Sequence, residues 1–316
     1  MRRLRVAYDS RAATEKRGIG RYASCLLAAL REVDLGEVLE SHRPRRVDVY
    51  HTPWIDGALL RCPCPMVVTL HDLVPLKRRG EYLRTGMRFR LRYLAVQRAV
   101  RIIVPTASVA GDAEELMRID PKQIAIVPEA AAEILHPRCA AEVAQARQRY
   151  ALPERYLLWV GGLEHPDPRK RVVALARAPR QLPLVMVGPT ARWAHELDGD
   201  VLLTGEVPDD DLAAIYTGAH ALISASDDEG FGLPPVEALA CGTPVVACDV
   251  PAVREVLGEC ATLVPADDID ALLAAGEAAR RPAPPPPQWT WQDAARRTWE
   301  IYADAAERRG PAVPRA

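Results

Sequence analysis

The chain has 316 residues, which is enough for two domains of roughly 150 residues each. Apolar residues make up 49% of it and charged residues 26%, as in ordinary globular proteins, so disorder as the main state is excluded. The formal net charge is −1, and the chain therefore lacks the overall basic field of a nucleic-acid-binding protein.

The chain contains seven cysteines, an odd number, and none of them forms a C-x-x-C pair. Cys62 and Cys64 have no second pair or nearby histidine that would complete a zinc site. We therefore expect reduced thiols in a cytoplasmic protein. The basic first residues lack the apolar core of a signal peptide, and no run of about 18 apolar residues predicts a membrane span.

Strands and helices alternate in the first half of the chain. The apolar pattern predicts short buried strands at residues 4–9, 47–51, 66–71 and 101–105, and helices at residues 18–33, 84–99 and 107–117. Alternation of this kind predicts parallel sheets covered by helices. Residues 34–46 show no recognisable strand–helix unit, so this half looks shortened.

The alternation of predicted strands and helices weakens at residues 135–153, and we place a domain boundary there. Six further strands then alternate with helical segments, which is enough for a complete doubly wound domain. They are predicted at residues 156–160, 184–188, 201–204, 221–226, 244–248 and 261–264. A proline-rich break at residues 282–287 precedes a last amphipathic helix at residues 289–302.

The richest segment, residues 226–247, reads SDDEGFGLPPVEALACGTPVVA and follows a predicted strand. It turns at Gly230 and Gly232 and enters a helix with proline at its start and glycine past its end. Small residues let the backbone approach a ligand, and a helix N-terminus offers N–H groups to an anion. Glu229 and Glu237 can then face one crevice at the carboxyl end of the sheet. An ordinary strand-to-helix turn with surface carboxylates is the alternative.

A second segment, residues 159–170, ends a strand in two glycines, the first of which is Gly161. After a short loop, Arg169 and Lys170 open a helix. Two adjacent cations and helix-end donors suit the charge that develops on a diphosphate leaving group. A solvated surface pair is the alternative.

These segments resemble the retaining family 4 glycosyltransferases of the GT-B fold. The run from Glu229 to residue 247 is similar to the family's E-x7-E signature, and Arg169 and Lys170 resemble its R-K element. The resemblance implies a nucleotide-sugar donor, with Glu237 on the ribose hydroxyls and Glu229 beside the donor sugar. It also implies that the backbone of three residues holds sugar hydroxyls and phosphate: Phe231, Gly232 and Leu233.

Residues 17–22, RGIGRY, imitate the G-x-G-x-x-A fingerprint of dinucleotide-binding domains. About eight residues separate them from the strand, whereas a true fingerprint follows its strand at once. The element resembles instead the family's GIGRY loop, which would place Gly18 and Gly20 beside the donor phosphate. His71 resembles a family histidine that faces the transferred sugar, although a lone histidine is more often structural.

Residues 127–129 and 205–207 also match family positions, and the second loop would place Val207 near the nucleotide base. We assign Gly161 to the donor site as well. Two D-x-D sequences, at residues 198–200 and 209–211, fit turn and cap positions better than a metal site. Because Arg169 and Lys170 already supply positive charge, we predict no metal and no required cofactor; the donor substrate is a GDP- or UDP-hexose.

Residues 77–101 hold nine cations and one glutamate. A solvated helix face is one interpretation, and contact with anionic lipid or an anionic acceptor is the other. The expected partners are a nucleotide sugar and a sugar, lipid-linked or small-molecule acceptor, without nucleic acid. The expected location is cytoplasmic, with peripheral contact on the inner face of the membrane as the second interpretation.

The sequence thus predicts a GT-B enzyme in which two Rossmann-like, doubly wound domains face each other across a cleft. Residues 1–145 would bind the acceptor, residues 146–287 the nucleotide sugar, and residues 288–316 would form a helix packed back on the first domain. The predicted reaction moves a hexose, with mannose among the candidates, to an acceptor hydroxyl with retention at the anomeric carbon.

The sequence is also compatible with two other classes of protein. One is a dinucleotide-dependent oxidoreductase built on residues 18–23, and the other is a non-catalytic protein that binds sugar nucleotides. A glycosidase that uses Glu229 and Glu237 is disfavoured, because hydrolysis does not need phosphate-binding features.

Overall fold

A computed structural model of the chain describes residues 3–15, 18–78 and 86–308. The contacts divide the chain into two compact units. Unit 1 comprises Met1–Glu129 together with Trp289–Ala316, and unit 2 comprises Ala130–Gln288. No helix in the described ranges is long and apolar enough to cross a membrane.

Unit 1 is built on a parallel six-stranded sheet in the order β2-β1-β3-β4-β5-β6. Its strands are β1 Arg5–Tyr8, β2 Glu37–Glu40, β3 Val49–Thr52, β4 Met66–Thr69, β5 Arg101–Val104 and β6 Ile124–Ile126. The four inner strands are almost completely buried, because helices cover both faces of a parallel sheet of this kind. That burial explains why these strands stood out in the sequence as apolar runs.

Four α-helices of the described residues lie between these strands. They are α1 Gly18–Glu32, α2 Val74–Lys77, α3 Gly86–Val96 and α4 Ala107–Met117. Helices α1, α3 and α4 agree closely with the predicted ones, whereas the short helix α2 was not predicted. The buried face of α1 carries Leu26, Leu27 and Leu30, at the spacing of one helical stripe. Thr106 caps α4, since its hydroxyl accepts a hydrogen bond from the backbone N–H of Val109 at 3.2 Å.

The sequence analysis missed β2 and β6. Both are short edge strands whose side chains are exposed or half-buried, so neither shows a continuous apolar run. The expected shortening of the first half is therefore wrong in part, because residues 37–40 form a strand. The chain then returns to β3 without an intervening helix.

Unit 2 contains a second parallel six-stranded sheet, in the order β12-β11-β10-β7-β8-β9. Its strands are β7 Leu157–Val160, β8 Leu184–Val187, β9 Val201–Gly205, β10 Ala221–Ser224, β11 Val245–Cys248 and β12 Thr262–Val264. Its helices are α5 Ala140–Arg149, α6 Val172–Arg177, α7 Asp209–Gly218, α8 Leu233–Ala240, α9 Pro251–Leu257 and α10 Ile269–Glu277. All six strands lie where the sequence predicted them.

The segment before α5 folds with unit 2. Residues 130–145, which the sequence analysis assigned to the first domain, group with the second unit. Helix α5 packs against α7, and Arg138 donates a hydrogen bond to Asp210 Oδ1 at 2.8 Å. These contacts join residues that are far apart in the chain.

The terminal helix, α11 Trp291–Glu307, packs against α1 in unit 1, as the sequence predicted. Its buried face carries Trp291, Trp299 and Tyr302. The Trp299 indole N–H donates a hydrogen bond to the carbonyl oxygen of Leu30 at 3.2 Å.

Each sheet reverses its strand order beside its first strand. The reversal lies between β1 and β3 in unit 1, and between β7 and β10 in unit 2. Open α/β sheets bind ligands outside the carboxyl ends of the strands at such a reversal. Two candidate positions for a site therefore follow from the topology.

Candidate active site

The carboxyl edge of the unit 2 sheet brings the two richest motifs of the sequence together. The Arg169–Lys170 turn follows β7, and the loop that holds Glu229 follows β10. These two strands are hydrogen-bonded neighbours at the strand reversal. The backbone N–H of Asp227 donates to the carbonyl oxygen of Arg169 at 3.0 Å, so the loops touch directly.

Arg169 is oriented by carboxylates on both loops. Its Nε donates to Asp167 Oδ2 at 3.0 Å, and its Nη1 lies 3.3 Å from Glu229 Oε2. The same Nη1 lies 3.4 Å from the carbonyl oxygen of Asp228. The side chain is only 16% exposed. Arg169 is therefore a positioned cation at the edge of the sheet, and the solvated surface pair does not describe it.

Lys170 occupies a separate position at the end of β7. Its Nζ lies 5.6 Å from the ring centroid of Trp159. A Cβ built on Gly161 would come within 3.0 Å of that Nζ and within 2.7 Å of the Trp159 ring. The lysine, the indole and the glycine thus pack closely, and a side chain at Gly161 would displace the ammonium group.

The second glutamate of the E-x7-E pair is buried. Glu237 lies in α8, is 3% exposed, and its Oε2 accepts a hydrogen bond from the Tyr216 hydroxyl at 2.9 Å. Gly232 precedes α8 with φ of +90°, a conformation that glycine adopts without strain. Phe231 and Leu233, on either side of this glycine, are both buried.

In unit 1, His71 follows β4 and is hydrogen-bonded through both ring nitrogens. Nδ1 lies 3.1 Å from Glu129 Oε1, and Nε2 donates to the carbonyl oxygen of Pro53 at 2.8 Å. Burial lowers the pKa of His71, but the hydrogen bond and charge of Glu129 outweigh it, so the pKa lies above its ordinary value. Glu129 is 2% exposed, and the arrangement favours a protonated imidazole.

A buried polar network adjoins His71. His51 Nε2 is hydrogen-bonded to Thr69 Oγ1 at 2.9 Å, and His51 Nδ1 to the Tyr302 hydroxyl at 2.7 Å. The Tyr22 hydroxyl lies 3.1 Å from Thr69 Oγ1, and its ring meets His71 edge-on at 4.6 Å between centroids. Burial lowers the pKa of His51 to about 3, so this histidine is neutral.

Sequence analysis gave no role to Glu129 or to the His51 network. The match of residues 127–129 to the family was a signal for Glu129. No comparable signal existed for His51 and Tyr302, which are 251 positions apart.

The predicted glycines of the GIGRY element shape the start of α1. A Cβ on Gly20 would lie 1.8 Å from the carbonyl oxygen of Glu15, so only glycine fits there. Gly18 is the first residue of the helix, and Arg17 lies outside the described residues. Gly18, Gly20 and His71 belong to unit 1. The other predicted site residues belong to unit 2, and Val207 follows the edge strand β9.

The acidic D-x-D sequences have structural partners. Asp198 pairs with Arg177 at 2.9 Å, and Asp211 accepts hydrogen bonds from Arg149 and Tyr150, each at 2.7 Å. Asp209–Asp211 lie in the first turn of α7, where negative charge is favoured. Among the residues that the structure describes, no three histidine, cysteine or acidic side chains form a group that could hold a metal ion.

The basic stretch at residues 77–101 is described only in part, because residues 79–85 and the side chains of residues 86–90 lie outside the described ranges. Three of its cations form ion pairs within unit 1: Lys77 with Asp112 at 2.6 Å, Arg92 with Asp56 at 2.9 Å, and Arg101 with Asp304 at 2.7 Å. These three are therefore occupied by partners of the same unit.

Family models match both halves of the chain. The model described as Glycosyltransferase Family 4 matches residues 11–130, and the model described as Glycosyl transferases group 1 matches residues 154–279. A D-inositol 3-phosphate glycosyltransferase from Thermobispora bispora is 30% identical over 323 residues, covering 86% of this chain and 74% of that protein. O-antigen chain mannosyltransferase B of Escherichia coli is 32% identical over 156 residues, and the match spans 44% of this chain and 40% of that protein.

Solved structures share the fold at low sequence identity. A sucrose-phosphate synthase from Thermosynechococcus elongatus has a TM-score of 0.66 at 19% identity, over 96% of this chain and 97% of that one. WaaG, a glycosyltransferase involved in lipopolysaccharide biosynthesis, has a TM-score of 0.65 at 14% identity, over 96% and 99% of the two chains. With the two parallel six-stranded sheets, these likenesses confirm the predicted GT-B fold.

Proposed function

This chain belongs to the family 4 glycosyltransferases, and from that premise we propose that it transfers a hexose from a nucleotide diphosphate sugar to an acceptor hydroxyl. One observation carries the proposal. The Arg169 guanidinium contacts the Glu229 loop at the strand reversal of unit 2, which brings cations, a carboxylate and the start of α8 to one edge. A nucleotide diphosphate needs such a combination of positive charge and backbone N–H groups.

The leaving diphosphate is the group that these residues would stabilise. Negative charge develops on it as the bond to the sugar breaks, and Arg169 and Lys170 would offset that charge. Donors that are already oriented stabilise such charge without reorganising, and the contacts of Arg169 with Asp167 and Glu229 support this role. Gly161 would keep the Lys170 ammonium accessible.

The remaining donor contacts follow from the family resemblance. Glu237 would bind the ribose hydroxyls, and Glu229 would lie beside the sugar. The backbone of Phe231, Gly232 and Leu233 would hold sugar hydroxyls and phosphate. Gly18 and Gly20 would lie beside the phosphate, and Val207 near the base.

We further propose retention at the anomeric carbon. The acceptor oxygen would bond to that carbon on the face from which the diphosphate departs, and the acceptor proton would pass to the departing phosphate oxygen. This route needs no covalent nucleophile from the protein. Among the sugars we favour mannose, because O-antigen mannosyltransferases are among the similar proteins, although an inositol 3-phosphate glycosyltransferase is similar over more of the chain.

We propose that His71 acts on the transferred sugar as a positive charge. Both of its ring nitrogens are already hydrogen-bonded, to Glu129 and to the carbonyl of Pro53. A sugar hydroxyl would have to displace one of those partners before it could exchange a proton with the ring. Glu129 would then set the charge of His71.

The acceptor would be a glycan or another hydroxyl compound. Names of similar proteins support a glycan, and a lipid-linked acceptor would bring the protein to the inner face of the membrane. The described side chains of residues 77–101 do not add support for a membrane contact, since Lys77, Arg92 and Arg101 are ion-paired within unit 1.

A panel of nucleotides and sugar nucleotides tests the proposal. GDP, UDP, GDP-mannose and UDP-glucose are compared by thermal shift and calorimetry, and at ~100-fold saturation the right ligand should add ~2.7 kcal/mol of stability. Transfer to candidate acceptors and donor hydrolysis are then measured with the best donor. Nicotinamide in the purified protein would favour an oxidoreductase, and tight donor binding without transfer would favour a non-catalytic binder.

A further inference from the structure

The strand reversal of unit 1 carries an ion pair that the proposed donor site does not use. Asp9 directly follows β1 and is completely buried, whereas the side chain of Arg11 is 49% exposed. Arg11 Nε donates to Asp9 Oδ1 at 2.8 Å, and Nη2 donates to Oδ2 at 2.7 Å. This two-point contact occupies the Nε–Nη2 edge of the guanidinium, and Tyr50 adds a further side-chain hydrogen bond to Arg11. Because the group is planar, the Nη1 edge faces away from Asp9.

Strand β3 and the loop after it hold the carboxylate of this pair in place. Asp9 Oδ2 lies 3.2 Å from the Tyr50 hydroxyl and 3.3 Å from the indole nitrogen of Trp54. A Cβ on Gly57 would come within 2.3 Å of the same oxygen, so only glycine allows the loop to close on Asp9. The acid is therefore fully enclosed by donors, and it fixes the direction of the Arg11 guanidinium.

The pair has its negative end buried and its positive end towards solvent. An approaching ligand meets the guanidinium first, and the carboxylate lies behind it. The chain around Arg11 is also basic, since residues 10–21 contain four cations and one acid. Helix α1, which begins within this segment, has no acidic residue in its first turn. Each of these features favours an anion over a neutral or positive group.

We propose that the Asp9–Arg11 pair is a subsite for an oxyanion group on the acceptor, a phosphate monoester or a carboxylate. The Nη1 edge of Arg11 would bind the oxyanion, and Asp9 would position Arg11. The pair lies where an open α/β sheet binds ligands, at the strand reversal of unit 1, whereas Arg169 and Lys170 belong to unit 2. That the bound molecule is the acceptor rests on the proposed function; that the pair binds an oxyanion does not.

The indole N–H of Trp54 is a direct reporter of this subsite, because it contacts Asp9. Its signal in a ¹H–¹⁵N spectrum is identified with a Trp54→Phe variant, and the protein is first saturated with GDP or UDP so that the donor site is filled. Mannose 6-phosphate, glucuronate and mannose are then titrated. We expect the Trp54 signal to respond to at least one charged sugar about ten-fold more tightly than to mannose.

Variants of Arg11 test whether the paired N–H groups of its guanidinium, the fork, bind the charged sugar. Arg11→Gln should weaken binding of the charged sugar about ten-fold. Arg11→Lys retains the charge without the fork and should weaken that binding several-fold. Arg31→Gln is the matched control, because Arg31 is an exposed arginine of unit 1 that pairs with Glu40. The indole signals of Trp291 and Trp299 show whether each variant keeps the core of unit 1 folded.

Three results would overturn the subsite. The Trp54 indole signal could stay unchanged with both charged sugars, or it could respond equally to mannose. A folded Arg11→Gln or Arg11→Lys protein could also bind the charged sugar with wild-type affinity. Failure of the proposed function shows elsewhere, in the indole signal of Trp159 beside Lys170. If that signal does not change with GDP, UDP or their hexose conjugates, the proposed donor site is wrong. The titration of Trp54 without nucleotide then still tests the oxyanion subsite.

Discussion

The two sheets carry different chemistry at the same topological position. At the reversal of unit 2, the functional candidates come from two short stretches of sequence, around Arg169 and Glu229. At the carboxyl edge of unit 1, the polar groups come from several distant segments, including Asp9, His71 and Glu129. The comparison teaches that a phosphate site can be recognised from one loop and one helix, whereas a site assembled across a sheet leaves little trace in the sequence.

The units also differ in how they treat buried ionisable groups. In unit 1, His51 on β3 and His71 just after the neighbouring strand β4 have opposite pKa shifts. Burial holds the pKa of His51 near 3, whereas Glu129 raises the pKa of His71 despite its burial. In unit 2, the Arg169 cation stays half-buried between carboxylates. Unit 1 is thus the part of the molecule whose stability should respond to pH around neutrality.

The largest expected effect tests the chemistry of unit 2. Lys170→Ala should lower turnover in both transfer and donor hydrolysis by about 10²–10³-fold, because it removes a positioned charge from the leaving diphosphate. Steady-state kinetics measure the loss, and the melting temperature shows that the fold is intact. Arg177→Ala is the control, since this exposed arginine of unit 2 pairs with Asp198, which is exposed as well. Unchanged turnover in Lys170→Ala would contradict the assigned role.

The next effect tests the glycine that shapes unit 1. Gly20→Ala would bring its Cβ to 1.8 Å from the Glu15 carbonyl oxygen, so we expect a loss of about 3 kcal/mol in the free energy of unfolding. A Cβ on Gly111 in α4 would meet no atom within 4 Å, and Gly111→Ala should add about 1 kcal/mol. Urea unfolding of the two variants gives both values. A Gly20→Ala protein at least as stable as the wild type would show that the close approach at Gly20 is not a constraint.

A smaller effect probes the buried glutamate of unit 2. Tyr216→Phe removes the hydroxyl that donates to Glu237 Oε2 and should reduce the free energy of unfolding by about 1–2 kcal/mol. If Glu237 binds ribose, the KM for the donor should rise as well, because the carboxylate loses its positioning partner. Tyr150→Phe is the control, since its hydroxyl also donates to a half-buried carboxylate, that of Asp211, which has no proposed role in the donor site. A donor KM that changes equally in both variants would count against the ribose role.

The smallest effect sharpens the contrast between the histidines. The pKa of His71 is raised in the folded state, so protonated His71 adds stability that is fully present below its unfolded pKa of about 6.5. That stability is lost as pH rises through the folded pKa. Glu129→Gln should reduce this loss of stability as the pH rises above about 6.5, and urea unfolding at a series of pH values measures it.

His51 should act in the opposite direction. Its folded pKa near 3 means that stability falls as pH drops below about 6.5, because the unfolded chain then binds the proton more readily. Chemical-shift titration of the two imidazole rings provides an independent check. A His71 pKa that stays unchanged in Glu129→Gln would show that the carboxylate does not set its charge.

The inner strands and the donor motif can be predicted from the amino-acid sequence. Strands such as β4 are continuous apolar runs because both faces are buried, and the loop at Glu229 carries its glycines, prolines and carboxylates within one short stretch. The edge strands β2 and β6 were not predicted, because they are defined by hydrogen bonds to a neighbouring strand and have no apolar pattern of their own.

Which distant residues come into contact depends on the three-dimensional fold. Glu129 reaches His71 across 58 positions of chain, and Tyr302 reaches His51 across 251. The fold also groups residues 130–145 with unit 2. It places Asp9 against Trp54 in the loop after β3, and Asp9 in turn orients Arg11. The physical reason is that a parallel sheet aligns the carboxyl ends of strands that are far apart in the chain, so side chains that no local pattern links become neighbours.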